Sequence, residues 1–189
     1  CCRFNNDFTG GSSVMASILK VNTIQTTSGT EFIEPNYEID NWKLNSGFST
    51  NDSTVTGWVR SNNTTSSYIG TGMSVSSGVF TFPKTGLYKV TVNLTLFSTN
   101  TDSAFGVTIN GSTDAFSSVN EILSYVYAGD SSSTDIYQSV SDSLLFNCTD
   151  TSLRKIKLVS SSFATSSSIL GASGYNYSSI MFERKGPSQ

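Results

Sequence analysis

A chain of 189 residues, 37% of them hydrophobic, is long enough to bury a sizeable core without disulfides or a metal. Only 13% of the residues are charged, the formal net charge is −3 and no basic run is present, which excludes a protein that neutralises nucleic-acid phosphates. The lack of histidine excludes Ser-His-Asp and Cys-His nucleophile systems, histidine-ligated zinc and the usual near-neutral proton shuttle.

Residues 1–14 differ in composition from the rest of the chain, and Gly10-Gly11-Ser12-Ser13 is linker-like. Met15 to Thr30 is β-prone, with sparse apolar positions that include Ile18, Leu19, Val21 and Ile24. A segment this sparse buries too little to fold alone and needs a partner surface or identical neighbours. Residues 1–35 are therefore expected to form an attachment arm, with those four side chains docking it to other proteins. Pro35 marks the boundary, because proline interrupts strand pairing.

Residues 36–189 read as short strands separated by Ser-, Thr-, Asn- and Gly-rich turns, with no helical period. Ile39 to Leu44, with Trp42, is the first, and Val55 to Val59, with Trp58, the second. Tyr68 and Ile69 begin another, followed by Met73 and Val75. The central stretch is Gly78 to Phe97, expected as an antiparallel hairpin closed at Pro83 and Gly86. Its second strand alternates strictly. Tyr88, Val90, Val92, Leu94 and Leu96 share one face; Lys89, Thr91, Asn93 and Thr95 share the other. Ala104 to Ile109 is next, then a turn signal at Asn110-Gly111. Strands are expected over Asn120 to Ala128, Asp135 to Cys148, Arg154 to Val159 and Tyr177 to Arg184, with a serine-rich loop over Ser160 to Ser168. Arg154, Lys155 and Lys157, the main basic cluster, read as a solvated strand face. Cys148 reads as a small buried apolar residue, and adjacent Cys1 and Cys2 do not bridge each other without strain.

The aspartates sit mostly beside turn residues, and neither a carboxylate pair nor an Asp-x-Asp-x-Asp-Gly loop stands out. No enzyme, cofactor or metal site is expected, and no stretch is apolar enough for membrane insertion. The Asn-x-Ser/Thr sequons, among them Asn93 in mid-strand, are those a chain rich in these residues carries by chance.

Gly78, Phe80, Pro83, Gly86 and Tyr88, followed by the alternating strand, resemble the central strands of the C1q/TNF family. The resemblance implies an all-β fold, a jelly-roll β-sandwich, that assembles as a homotrimer. The chain departs from that family in lacking a collagen-like stalk and a Gly-Asp pair before the penultimate strand. Met-Ala-Ser-Ile-Leu-Lys-Val-Asn-Thr-Ile at residues 15–24 resembles the opening of small virion proteins of marine tailed bacteriophages, although Met15 is not the first residue. That resemblance implies a virion surface protein, a short fibre, head fibre or capsid decoration, whose partners are capsid or tail proteins. The alternative is a secreted C1q-like lectin or signalling ligand. A third reading, a carbohydrate-active enzyme within a fibre, requires a carboxylate pair facing a groove.

Two features locate function. Asn120 to Ala128 is apolar on both faces, with Ile122 and Val126 on one and Leu123, Tyr125 and Tyr127 on the other. A sandwich strand buried on one side does not need both. Tyr88, Tyr125, Tyr127, Met181 and Phe182 are the trimer-interface candidates. The polar loops Asn45–Ser53, Ser61–Ser67, Gly129–Thr134 and Ser160–Ser168 lie near Trp58, Tyr68 and Tyr175, whose rings are candidates to stack on a host-surface glycan.

Overall fold

Period-two alternation makes strands, and every regular element among the described residues is one. The computed structural model describes residues 37–61, 68–131 and 134–189, all within the unit Pro35–Gln189. The arm with Ile18, Leu19, Val21 and Ile24 lies outside the described residues, as do positions 62–67 and 132–133 of two of the loops. The strands are β1 (Ile39–Leu44), β2 (Trp58–Arg60), β3 (Ser74–Ser76), β4 (Val79–Thr81), β5 (Gly86–Ser98), β6 (Asp102–Ser112), β7 (Glu121–Asp130), β8 (Ile136–Cys148), β9 (Lys155–Ser161), β10 (Ser167–Ile169) and β11 (Ser179–Gly186). They form two antiparallel sheets. The first runs β8, β5, β11, β1, β2, with β10 beside the end of β5; the second runs β3, β4, β9, β6, β7. The expected all-β sandwich is the observed one.

β5 is the spine of the first sheet. Tyr88, Val90, Val92, Leu94 and Leu96 are all buried, and Lys89, Thr91, Asn93 and Thr95 face outward. Opposite them, Phe105, Val107 and Ile109 of β6 and Ile156 and Leu158 of β9 complete the core. Aromatic rings fill the space between the sheets. Phe80 lies 5.0 Å from Phe182 and 5.7 Å from Trp42, and Phe82 lies 4.6 Å from Tyr88 and 5.0 Å from Phe146. Ring pairs in such tilted and offset arrangements add about 0.5–1.5 kcal/mol each beyond the area they bury.

The central stretch is not a hairpin. β4 pairs with β3 and β9 in the second sheet, whereas β5 lies in the first, so residues 82–85 cross the sandwich. Phe82, at that crossing, is buried between the sheets. Alternation specifies which face of a strand is buried but not which strand lies beside it. The tight hairpin comes one strand earlier, between β3 and β4, where Ser77 and Gly78 both take positive φ (48° and 79°). A Cβ at Gly78 would also sit 2.4 Å from the Val55 carbonyl oxygen. Gly86 serves close approach rather than a turn, since a Cβ there would meet the Gly186 oxygen at 2.7 Å.

Three further expectations need correction. Asn110-Gly111 does not turn the chain: β6 continues to Ser112 through an irregularity between Ile109 and Asn110. Asn110 is buried, its amide donating to Asn120 Oδ1 at 3.1 Å, and the reversal falls over residues 113–119. The second strand begins at Trp58 rather than Val55, because Thr54 bridges to Val159 of the other sheet and Val55 is buried in the core. The serine-rich segment contains β10 and is pinned. Ser160 Oγ donates to the Thr50 carbonyl at 2.6 Å, and Ser167 Oγ donates to Asp102.

Candidate recognition surfaces

β7 and β8 are both edge strands and lie on the same flank of the sandwich. No backbone ladder joins them. Side chains bridge instead, with Ser124 Oγ donating to Asp142, and Gln138 Nε2 donating to the Gly129 carbonyl at 2.8 Å. Asp142 points inward on β8, a device that discourages indiscriminate edge-to-edge pairing. Elsewhere on the flank exposed apolar side chains stand among polar ones, including Glu121 and Ser139, Ser141 and Ser143. Ile122, Leu123, Tyr125 and Tyr127 of β7 and Tyr137 and Leu145 of β8 are exposed, Leu145 by 64%. Tyr125 and Tyr127 stack nearly parallel, their centroids 5.3 Å apart. A cavity of about 280 Å³ opens between the strands, reaching Leu123, Leu144 and Phe146.

The opposite edge of the first sheet is polar. β1 and β2 and the loop at residues 173–176 enclose a cavity of about 530 Å³ lined by Asn41, Lys43, Asn45, Arg60, Tyr175 and Asn176, among others. Lys43 Nζ donates to the Ser173 carbonyl at 2.5 Å and the Asn41 amide to Ser61 Oγ at 3.5 Å. Arg60 is held rigidly behind this surface. Its Nε and Nη2 donate to the buried Asp40 at 2.9 Å, and its guanidinium stacks on the Trp42 and Tyr68 rings. The hydrogen bond to Asp40 raises the Arg60 pKa. Glu38, also buried, accepts from the Gly72 N–H at 3.0 Å and pairs with Lys84 at 3.3 Å.

The sequence-derived candidates divide accordingly. Tyr88 and Phe182 are inside the sandwich and present no side chain to a neighbouring molecule; both belong to the core. Trp58 is likewise buried, its indole donating to the Val55 carbonyl at 2.9 Å, so it is no glycan platform. Burial raises the Tyr88 hydroxyl to about 12, and the hydroxyl donates to the Lys84 carbonyl. Met181 lies half-buried on the outward face of the first sheet, opposite Thr91 and Asn41. Tyr125 and Tyr127 are exposed on the flank, Tyr68 is exposed over Arg60, and Tyr175 is exposed at the polar cavity. Tyr137, Leu145, Lys43 and Asn176 join these surfaces without having been singled out by sequence. The adjacent pair Leu144-Leu145, apolar on both faces of one strand, was the available signal.

Among the described residues no group of three or more His, Cys, Asp or Glu side chains could hold a metal ion. Cys148 is buried at the end of β8, where desolvation pushes its thiol up to about 11.

A six-stranded and a five-stranded layer in this order, closed by β11 returning between β5 and β1, decide the fold. The chain has a TNF-like jelly-roll fold. It superposes on Eiger TNF from S. frugiperda with a TM-score of 0.64 at 12% identity, covering 81% of this chain and 95% of that one. Murine APRIL gives a TM-score of 0.59 at 14% identity in its pH 5.0 structure, covering 78% of this chain and 98% of that one. Its pH 8.5 structure gives 0.57 at 13% identity, again covering 78% and 98%. No family model matches the sequence, and no curated protein matches it significantly.

Proposed function

We propose that this TNF-like chain is a non-enzymatic recognition protein that works as a homotrimer, of the class of secreted lectins or signalling ligands. The observation that carries the proposal is the uncovered flank of β7 and β8. Clustered exposed aromatic and aliphatic side chains beside two unpaired edges are what a lone soluble domain avoids. Further copies of the chain are the occupant that fits. The flank of one copy, with Tyr125 and Tyr127, rests on the outward face of the next copy's first sheet, around Met181. Such a head-to-tail contact closes into a ring, and the resemblance to C1q/TNF domains implies three members. The likeness in fold to Eiger TNF and APRIL supports a ligand of that class over a particle-docking protein.

The test is the mass of the full chain in solution by light scattering. The expected mass is three times the 20.3 kDa chain, and Tyr125→Asp with Tyr127→Asp is expected to release folded monomers. A wild-type monomer across the micromolar range overturns the proposal.

A second reading, a virion surface protein docked to a capsid or tail by residues 1–35, is favoured by the residue order at 15–24. Ile18, Leu19, Val21 and Ile24 would then make the contact. Deleting residues 1–35 separates the two: a ligand keeps its surface binding, and a virion protein loses incorporation into particles.

A further inference from the structure

The polar cavity at the β1–β2 edge lies at the other end of the first sheet from β8, with Asn41 of its lining paired across strands with Met181, and its lining is selective. Among the described residues Lys43 and Arg60 are its only charged groups, and no carboxylate lines it. The Arg60 charge is matched by Asp40, 2.9 Å away. The Lys43 ammonium meets a neutral carbonyl, that of Ser173, so its charge is uncompensated by the described lining of the cavity. Asn41, Asn45 and Asn176 add amides that both donate and accept. Tyr175, 68% exposed, holds an open ring face at the rim, steadied by Tyr177 at 5.8 Å. The volume of about 530 Å³ falls within the roughly 300–1,000 Å³ typical of small-ligand sites. The polar lining does not suit an apolar ligand.

We infer that this cavity binds a saccharide carrying an acidic group, a carboxylate or a sulfate. Lys43 pairs with the acid, the three asparagines bond ring hydroxyls, and Tyr175 packs against the apolar face of the sugar ring. The inference rests on the reading of the chain as a recognition protein and names its ligand class.

The experiment is calorimetric titration of the full chain with oligosaccharides ending in N-acetylneuraminate, galacturonate or sulfated galactose, each beside its neutral parent and beside an oligoglutamate peptide. At least one acidic sugar is expected to bind about tenfold more tightly than its neutral parent, as one charge-assisted contact allows. Lys43→Ala and Tyr175→Ala are each expected to lose about tenfold, and Lys43→Arg to retain binding. Asn176→Asp, which places a carboxylate in the cavity, weakens the acidic sugar and spares the fold. Binding of no acidic sugar, equal binding of the neutral parents, preference for the peptide, or indifference to these substitutions would each overturn the assignment. Light scattering on the same samples keeps the two proposals apart. A trimer that binds no acidic sugar refutes only this site, and a monomer that binds one refutes only the assembly.

Discussion

Asp40→Ala tests whether the buried charge cluster holds the β1–β2 edge together. Asp40 is only 1% exposed and accepts three good hydrogen bonds, from Arg60 Nε at 2.9 Å, Arg60 Nη2 at 2.9 Å and the Met73 N–H at 2.7 Å. Its removal orphans the buried Met73 donor, a loss of about 1–3 kcal/mol. Arg60 loses its counter-charge but keeps its bond to the Met73 carbonyl at 2.6 Å and, with a side chain 26% exposed, recovers part of its hydration. The expected cost is therefore about 3 kcal/mol, the low end of the range for breaking a buried ion pair. In urea, with a slope of about 1–3 kcal/mol per molar, the midpoint moves down by about 1–3 M with the slope unchanged. Asp40→Ala with Arg60→Leu is expected to recover part of the loss, because no uncompensated charge then remains. A single-variant cost under about 0.5 kcal/mol, or a double variant as unstable as the sum of the singles, would refute the reasoning.

Alkaline stability provides another check. Burial raises Tyr88 from 10.0 to about 12 and Cys148 from 9.0 to about 11. The folded chain therefore holds these protons more tightly than the unfolded one. Their contribution is complete below pH 9 and is lost as pH climbs to about 12, by about 1.4 kcal/mol per unit for each group. Tyr88→Phe and Cys148→Ala should each flatten the stability–pH curve in that window, and an unchanged curve would mean the groups are solvated. Phe82→Ala, which empties the crossing between the sheets, should cost about 3–5 kcal/mol in thermal or urea unfolding. Asp114 accepts from Ser118 N, Ser118 Oγ, Ser112 Oγ and Val119 N, and these bonds hold its carboxyl well below the usual carboxylate range. The Ser118 and Val119 amide resonances should show no titration near the ordinary value of 3.8, and Asp114→Asn should speed hydrogen exchange at both.

The strand content of the fold was legible because alternation reports burial directly. Ile39–Leu44 and the inward set of β5 needed no tertiary information. Pairing was not legible, because the same alternation at Gly78–Thr81 is served equally by a hairpin to β5 and by β3 and β9 across the sandwich. The sites were legible only where exposure broke the rule. Tyr125 and Tyr127 stood out because their strand is apolar on both faces, whereas Tyr88 and Phe182 are as aromatic but obey the alternation and belong to the core. Trp58 was indistinguishable from an exposed ring, since only the position of the Val55 carbonyl shows that its indole is satisfied inside. The polar cavity joins residues 41–45 to residues 173–176, a contact across the chain that no local pattern records.

The strand order of the first sheet separates the edge proposed for assembly from the cavity proposed for recognition. β8 and β2 are its two edges, four strand spacings apart, about 19 Å at the usual 4.8 Å per step. The β8 edge is unpaired and, with β7 beside it, exposes Tyr125, Tyr127, Tyr137 and Leu145, so it gains most from being covered. The β2 edge is already blunted, because β2 has only three residues and Arg60 is locked to Asp40. In the proposed ring the β8 edge rests near Met181 of the next copy, and Met181 pairs with Asn41 at the rim of the cavity. Coupling between substitutions at the two places therefore reports how far the contact around Met181 extends. Tyr125→Asp with Tyr127→Asp should alter the mass in solution, and Lys43→Ala should lower saccharide affinity. If the contact around Met181 stops short of Asn41, the two sets of substitutions act independently within about 0.5 kcal/mol. A larger coupling would show that the cavity is completed by a neighbouring copy, and that recognition and assembly share one surface.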